Sequence, residues 1–182
     1  MVLANCKLQM NKALFLDRDG VINVEKDYLY KIIDFEFIDG IFDICRYYQK
    51  LGFIIIVVTN QSGIARNYYT EKDFDNLTTW MLSEFSSRSI EIKKVYYCPH
   101  HPDISGECSC RKPNPGMLIK ASEVFNIDLK NSIMIGDKER DILAGINAGL
   151  TTTYLFDESK SVRVSKANKI VSKLEDIYSV NT

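Results

Sequence analysis

Short apolar runs alternate with longer amphipathic stretches along this chain, and this alternation limits the possible folds more than any other feature. The candidate strands cover residues 13–16, 53–58, 94–97, 132–135 and 153–156, with a weaker pattern at 169–171. The second is the uninterrupted run FIIIVV, which is typical of a strand covered on both faces. Strands that alternate with helices predict one α/β domain, a Rossmann-like three-layer sandwich with a mostly parallel sheet and helices on both faces.

Helical periodicity fills the two intervals that follow the first two strands. The first helix carries apolar residues at 41, 44, 45, 48 and 51 and stops before Gly52. The second follows Thr70 and Asp73, which resemble an N-terminal cap, and has apolar residues at 74, 77, 81, 82 and 85. These spacings of three and four residues predict helices with one buried face.

Three further helices are expected in the second half of the chain. Asn114 and Pro115 predict the start of one, because proline is tolerated at the first helical position. Apolar residues at 142, 143 and 146 form the stripe of the next, which Gly149 closes. Ser172 and Glu175 have the spacing of a capping box and predict a short last helix.

Length and composition favour one ordinary globular domain. The chain has 182 residues, is 46% hydrophobic and has a formal net charge of −1. This balance disfavours a general nucleic-acid binder, which needs a basic surface, and no apolar run is long enough to span a membrane. The first residues do not have the pattern of a signal peptide, so we expect a cytoplasmic location. We further expect a short extension at 1–11, one domain at 12–182 and a monomer.

Polar side chains follow three of the predicted strands. Asp17 and Asp19 follow the first, the segment TNQSG at 59–63 follows the second, and GDKERD at 136–141 follows the fourth. The pair Arg111 and Lys112 precedes the helix that leads into the fourth strand. Parallel strands bring these ends to one edge of the sheet, where ligands bind in such folds.

The acidic residues at this edge predict a magnesium site. Asp17, Asp19 and Asp137 supply the carboxylate and carbonyl oxygens that Mg²⁺ prefers, and a cation offsets the repulsion between neighbouring carboxylates. Each motif alone also suits a turn or a helix cap. Their occurrence together, each after its own strand, favours a site in which the nearby cations and hydroxyl groups bind a phosphate. Arg18 lies between two of these acids and is expected to point to the opposite face.

The segment CPHHPDISGECSC at 98–110 predicts a zinc-binding loop. Cys98, His100, Cys108 and Cys110 form a Cys₃His set, which is typical of a closed structural Zn²⁺ site. His101 is the alternative imidazole. Three of the five cysteines lie within thirteen residues of one another, a pattern that favours metal binding over disulfides. The spacing differs from that of nucleic-acid-binding fingers, so we expect the metal to order the loop beside Arg111 and Lys112.

Four segments, FLDRDGVIN, VVTNQSG, RKP and IGDKERD, resemble the motifs of the haloacid-dehalogenase (HAD) superfamily of phosphotransferases. The resemblance implies that Asp17 is the nucleophile and Asp19 the general acid and base. It further implies that Thr59 and Lys112 hold the transferred phosphoryl group. Mg²⁺ is then bound by Asp17, Asp137 and the backbone carbonyl of Asp19.

Residues 12–157 are similar more narrowly to the heptose-bisphosphate 7-phosphatases, through FEFIDG, TNQSGIAR, YYCPHHP, CRKPNPGM and IGDK. That resemblance implies a sugar bisphosphate substrate and a role in nucleotide-activated heptose synthesis. The intervals between the motifs leave no room for a separate cap domain, so we expect an open pocket. Asn67 stands where this family often has glycine. The substrate-binding residues implied are Glu25, Lys26, Asp27, Tyr28, Thr59, Asn60, Gln61, Ser62, Arg111, Lys112 and Lys138.

Three alternatives remain open on the sequence. A histidinol-phosphate phosphatase has similar motifs and a similar loop, but its substrate carries an amine, whereas Arg111 suits a second phosphate. A phosphorylatable signalling domain also uses aspartates and Mg²⁺. A zinc-dependent nucleic-acid adaptor is disfavoured by the net charge. The motifs do not distinguish the α from the β anomer of the sugar 1-phosphate.

Overall fold

The sheet has six parallel strands in the order β3-β2-β1-β4-β5-β6. A computed structural model describes residues 10–178. In this order the chain reverses its winding direction between β1 and β4, and the crevice beyond such a reversal is where doubly wound sheets bind ligands. The strands are β1 Lys12–Leu16, β2 Phe53–Asn60, β3 Ile92–Cys98, β4 Ile133–Gly136, β5 Thr152–Phe156 and β6 Lys169–Val171.

Helices cover both faces of this sheet. They are α1 Ile41–Lys50, α2 Glu71–Ser86, α3 Pro102–Ser105, α4 Gly116–Phe125 and α5 Glu139–Ala148, with single 3₁₀ turns at Ile32–Asp34, Leu129–Asn131 and Leu174–Ile177. Within residues 10–178, every helix is too short or too polar to cross a membrane.

Alternate side chains of β1 enter two separate hydrophobic cores. Leu14 and Leu16 pack with α1 and α2 on one face, whereas Ala13 and Phe15 pack with α4 and α5 on the other. All four are fully buried. Because a one-residue slip would exchange the two faces, this double burial fixes the register of β1 and hence the position of the acids that follow it.

The α/β fold class and all six predicted strands are confirmed. The capping box of α2 is present: Thr70 Oγ1 accepts from the Asp73 amide, and Asp73 accepts from the Thr70 amide. Pro115 is the N-terminal cap residue of α4 rather than its first helical residue. The strand β2 extends through Thr59 and Asn60, so both residues of this motif are held by sheet pairing.

The capping box predicted at Ser172 and Glu175 is wrong. The last helical segment is a 3₁₀ turn that follows Lys173, and it has no side-chain cap. Leu174 and Ile177 are buried in the core that contains α1. Burial of these two residues therefore sets where the turn begins.

The apolar stripe predicted for α5 is only partly buried. Ile142 is buried, but Ile146 is 40% exposed. The helix instead buries Ala144, Gly145 and Ala148. A Cβ on Gly145 would lie 3.1 Å from Thr153 Cγ2, so this small-residue face lets α5 approach the sheet closely.

The domain boundaries stay predictions. Residues 1–9 of the predicted extension, which include Cys6, lie outside the described residues. Asn11 is already paired with the body of the protein, since its backbone bonds to Asn126 and Asp128.

Candidate active site

Two aspartates meet where β1 and β4 end. The Asp17 amide donates to the Ile135 carbonyl over 3.0 Å, which continues the pairing of the two strands beyond β1. Asp137 follows β4 directly. Asp17, Asp137 and Asp141 each offer a carboxylate oxygen, and the three oxygens lie within 4.8 Å of one another. The topology thus assembles an acidic cluster at the reversal point of the sheet.

Two glycines permit this close approach. Gly20 has φ +85°, and a Cβ built there would lie 2.4 Å from Asp137 Cγ. A Cβ on Gly136 would lie 2.2 Å from that of Asp141. A side chain at either position would displace an acid, so the backbone around the cluster requires glycine.

Lys112 lies beneath the acids as a buried counter-ion. Its Nζ is 2.9 Å from Asp17 Oδ1 and 2.8 Å from Asp141 Oδ1, and it donates to the Val58 carbonyl over 2.7 Å. Burial alone would lower the pKa of Lys112, but the carboxylates of Asp141 and Asp17 outweigh this effect and raise it. Burial raises the pKa of Asp17, against the opposing effect of Lys112. Lys112 thus contacts two of the three acids and does not compensate the whole cluster.

The acidic cluster fits a divalent cation. Asp137 Oδ2 pairs with Lys138 Nζ at 2.8 Å, but Oδ1 is buried and has no hydrogen-bond partner. Burial raises the pKa of Asp137, against the opposing hydrogen bond from Lys138. An unpaired buried carboxylate oxygen beside two further acids is the environment that a hard cation stabilises.

Asp19 lies beside this cluster in the same cavity, with a different set of partners. Its carboxylate accepts from Arg18 Nη2 at 2.9 Å, from Asn23 Nδ2 at 3.1 Å and from Gln61 Nε2 at 2.9 Å. The expectation that Arg18 points away is wrong, because the loop after β1 turns its guanidinium back onto Asp19. The use of the Asp19 carbonyl as a metal ligand stays a prediction.

The TNQSG segment supports Asp19 and Lys112. Gln61 also donates to Thr59 Oγ1 over 2.8 Å and accepts from the Tyr69 hydroxyl. Burial raises the pKa of Tyr69 to about 12, so this hydroxyl stays a donor. Asn60 exchanges hydrogen bonds of 3.1 Å with the amide and carbonyl of Lys112. The end of β2 is thereby joined to the segment that carries the buried lysine.

A cavity of about 440 Å³ opens above these groups. Most residues expected to bind substrate line it, but Lys26 does not: its Nζ donates to the Asp34 carbonyl and pairs with Glu36. Lys112 is buried and is not part of the lining, and Asp137 lines a neighbouring cavity together with Glu25 and Lys138. The expected residues on the cavity wall are Asp17, Asp19, Glu25, Asp27, Tyr28, Thr59, Asn60, Gln61, Ser62, Arg111 and Lys138.

Five residues of the site were not identified from the sequence. Arg66, Tyr69, His101 and Arg140 line the cavity, and Asp141 is the second acid on Lys112. Arg66 and Asp141 lie inside the quoted motifs TNQSGIAR and IGDKERD. The motifs therefore included these two residues of the site, but spacing alone does not show which charged residues of a motif face the cavity.

Asn67 has φ +57°. Asparagine tolerates this left-handed conformation better than most residues. The replacement of the usual glycine is therefore compatible with the same turn.

The cysteine-rich loop gathers four potential ligands beside the cavity. The Sγ atoms of Cys98, Cys108 and Cys110 and the Nδ1 of His100 have five mutual distances of 3.0–3.6 Å. A tetrahedral zinc site with Zn–S bonds of about 2.3 Å spaces its sulfurs about 3.8 Å apart. Burial acts to raise the pKa of Cys108, but hydrogen bonds, that of Cys110 foremost, lower it to about 7. These donors fit Zn²⁺.

The two neighbouring histidines have different surroundings. His100 belongs to the cysteine cluster. His101 is the N-cap residue of α3, and its Nε2 lies 2.6 Å from Nη2 of Arg66. The structure therefore groups His100, and not His101, with the three thiols, while its role as a ligand stays a prediction.

Comparison with known proteins places this chain in one class. Residues 109–174 match the family model described as HAD-hydrolase-like. The crystal structure of the D,D-heptose 1,7-bisphosphate phosphatase of B. bronchiseptica, complexed with magnesium and phosphate, is 25% identical and superposes with a TM-score of 0.80. The alignment covers 91% of this chain and 95% of that one. The protein is thus a HAD-like hydrolase with phosphatase relatives.

Two curated relatives narrow the class. The D-glycero-alpha-D-manno-heptose-1,7-bisphosphate 7-phosphatase of Campylobacter jejuni is 55% identical over 82% of this chain and 84% of its own length. The corresponding beta enzyme of Escherichia coli K12 is 44% identical, over 91% of each chain. This chain belongs to the family of heptose-1,7-bisphosphate 7-phosphatases.

Proposed function

We propose that this enzyme hydrolyses the C7 phosphate of D-glycero-D-manno-heptose 1,7-bisphosphate, with Mg²⁺, in the supply of nucleotide-activated heptose. The observation that carries the proposal is the buried group of Asp17, Asp137, Asp141 and Lys112 at the ends of β1 and β4. A buried acid beside a buried lysine, open to a polar cavity, suits attack on a phosphate monoester.

Asp17 is proposed as the nucleophile. Its carboxylate attacks phosphorus while the bond to the sugar C7 oxygen breaks, and water then cleaves the resulting aspartyl phosphate. Two displacements of this kind are each easier than direct attack by water. Lys112, 2.9 Å from Asp17 Oδ1, and Thr59 are placed to counter charge on the phosphoryl oxygens, where phosphoryl transfer needs stabilisation.

Asp19 is proposed as the acid and base. It protonates the leaving C7 oxygen and then takes a proton from the attacking water. The hydrogen bonds from Arg18, Asn23 and Gln61 hold its carboxylate in one orientation. Such pre-orientation reduces the cost of reaching the reactive geometry.

Asp17, Asp137 and the Asp19 carbonyl would hold the magnesium ion. Bound there, Mg²⁺ supplies positive charge next to the transferred phosphoryl group. The unpaired Oδ1 of Asp137 supports this assignment. Asp141 is the partner of Lys112 and fixes that lysine under the nucleophile.

Zn²⁺ is proposed as a structural ion on Cys98, His100, Cys108 and Cys110. A closed Cys₃His site orders its loop when the metal is bound. Arg111 follows the last of these ligands directly, and its Nη1 donates to the His100 carbonyl over 3.0 Å. The loop therefore fixes a cation at the cavity wall.

The cavity walls support a sugar with a second phosphate. Arg111 has no carboxylate within ion-pair distance among residues 10–178, so it is available for an anion. Glu25 and Asp27 offer acceptors for sugar hydroxyls. We further propose that the protein is a monomer and that it acts in the cytoplasm, where the thiols of Cys45 and of the loop would stay reduced.

Phosphate release from the two heptose bisphosphate anomers and from histidinol phosphate, with and without Mg²⁺, tests the proposal. We expect Mg²⁺-dependent release of the C7 phosphate from one or both anomers and little from histidinol phosphate. Asp17→Asn is the control, with an expected loss of about 10,000-fold or more in kcat in a protein that still folds, because Asp141 remains paired with Lys112. A clear preference for histidinol phosphate would overturn the assignment.

A further inference from the structure

The cavity contains a second arginine that the proposed mechanism does not use. Arg66 lines the cavity with Arg111. Its Nη2 is 2.6 Å from Nε2 of His101, and its Nε is buried without a hydrogen-bond partner. Because a guanidinium group only donates hydrogen bonds, His101 Nε2 accepts this one. The ring proton then lies on Nδ1, which therefore does not also accept from the Asp103 amide 3.3 Å away. The side chain is thus held in place by a neutral acceptor.

The cations of the cavity divide into two groups. Lys138 pairs with Asp137 at 2.8 Å, and both Lys138 and Arg140 lie close enough to Glu25 to lower its pKa, although burial raises it overall. In the part of the chain that the structure describes, no carboxylate lies within 4.0 Å of a guanidinium nitrogen of Arg66 or Arg111. The positive charge of these two arginines is therefore not compensated within the protein.

The uncompensated arginines are held by adjacent residues of one loop. Arg111 donates to the carbonyl of His100, and Arg66 donates to the ring of His101. Two guanidinium groups that line one cavity repel each other, and an anion bound between them would offset this repulsion. Guanidinium groups bind phosphate through paired hydrogen bonds, which gives strength and directionality.

We propose that Arg66 is a specificity-determining residue that binds the phosphate which is not transferred, together with Arg111, and that His101 positions it. This inference rests on the proposed function, since it requires a substrate with two phosphates. It assigns the preference for a bisphosphate over a monophosphate to a pair of arginines from two loops, rather than to Arg111 alone.

The test compares heptose 1,7-bisphosphate with heptose 7-phosphate, which lacks only the second phosphate. In Arg66→Gln, we expect KM for the bisphosphate to rise about 10- to 100-fold, with kcat close to wild type and KM for the monophosphate unchanged. Arg46→Gln is the matched control, because the Arg46 side chain lies on α1 outside the cavity, is half-exposed and pairs with Asp43. His101→Ala is expected to raise KM for the bisphosphate selectively, but by less than Arg66→Gln does. His101→Gln keeps a hydrogen-bond acceptor, so its KM is expected to return towards the wild-type value.

Binding separates this inference from the proposed function. Calorimetric Kd values of both sugars on the Asp17→Asn protein with Mg²⁺ do not depend on turnover. We expect Arg66→Gln to remove most of the preference for the bisphosphate in that background. An equal loss for both sugars, or no loss for either, would overturn the role of Arg66. Failure of the wild-type enzyme to hydrolyse a bisphosphate that it binds through Arg66 would overturn the proposed function instead.

Discussion

At the scale of single residues, the site depends on buried charged side chains whose charges are compensated by neighbouring residues. Lys112 contacts two acids and a carbonyl, and truncating one partner of such a group leaves a buried charge without compensation. Asp137 keeps one buried oxygen unpaired. The sequence indicated Asp17, Asp137 and Lys112 because each follows a strand or a recognisable loop. It did not indicate Asp141, since an acid in the first turn of a helix is commonly a cap.

Gly20→Ala is predicted to weaken magnesium binding. The new Cβ would lie 2.4 Å from Asp137 Cγ, so Asp137 must move, and we expect an additional loss of about 1–3 kcal/mol in unfolding free energy. Gly52→Ala is the control, because Gly52 has φ +80° with nothing within 4 Å of its Cβ. Mg²⁺ titrations and denaturant unfolding measure both effects. Equal Mg²⁺ affinity in the two variants would contradict this account.

Asp19→Asn is predicted to lower kcat by about 100- to 10,000-fold, since it removes the proton donor and acceptor. An amide accepts through one oxygen only, so part of the hydrogen bonding from Arg18, Asn23 and Gln61 is lost, and the unfolding transition is measured alongside. Steady-state phosphate release measures the change. Turnover at the wild-type rate would exclude the acid and base role, and a stable aspartyl phosphate in the wild-type protein would favour a signalling domain instead.

At the scale of elements, the strands were easier to predict than the ends of the helices. Strand β1 is buried on both faces, so its apolar run is explicit in the sequence. The short helix α3 was not predicted. It begins after His101, inside the segment that was interpreted from the sequence as a zinc-binding loop. Ile146 was wrongly placed in the core, since α5 buries its small residues. Periodicity alone does not show which face of a helix fits a close contact.

The capping box of α2 is predicted to make stability depend on pH. The hydrogen bond from the Thr70 side chain, helped by the Thr70 amide, lowers the pKa of Asp73 from its ordinary value of 3.8. Because the folded-state pKa is the lower one, this stabilisation is complete above 3.8 and is lost as the pH falls through the lowered value. Asp73→Asn should therefore destabilise the protein at neutral pH, but not at pH values below the lowered pKa of Asp73.

Denaturant unfolding over this pH range measures the effect. Thr70→Ala is the comparison. The loss of the N-cap hydroxyl costs about 1 kcal/mol, and part of this cost should also disappear at low pH, because the Thr70 hydroxyl donates to the Asp73 carboxylate. An Asp73→Asn difference that stays constant with pH would refute the contribution of its charge.

Cys108→Ser is predicted to loosen the loop at 98–110 and to weaken substrate binding more than Mg²⁺ binding. The loop holds Arg111 through His100, whereas the acidic cluster is built on β1 and β4. Zinc content, hydrogen exchange of the loop and KM are the readouts, with Ser109→Ala as the control in the same loop. Unchanged loop protection and KM after complete loss of zinc would show that the metal does not order this segment.

At the scale of the whole molecule, the doubly wound order explains why distant motifs share one site. Residues 17, 59, 112 and 137 come together because β1 lies between β2 and β4 and all three run parallel. This much followed from the pattern of strands and motifs. The assignment of Arg66 and His101 to the cavity did not, because it depends on how loops fold over the strand ends. The same holds for Arg140, which lies in the first turn of α5, because the spacing does not show which side of that turn faces the cavity.

The central claim is that the ends of β1 and β4 hold a magnesium ion beside a nucleophilic Asp17. A crystal structure with Mg²⁺ and beryllium trifluoride, a mimic of a phosphoryl group on aspartate, tests it most directly. We expect beryllium bonded to an Asp17 carboxylate oxygen, and Mg²⁺ held by Asp17 and Asp137. Beryllium bonded to another residue, or no metal shared by these two aspartates, would contradict the account.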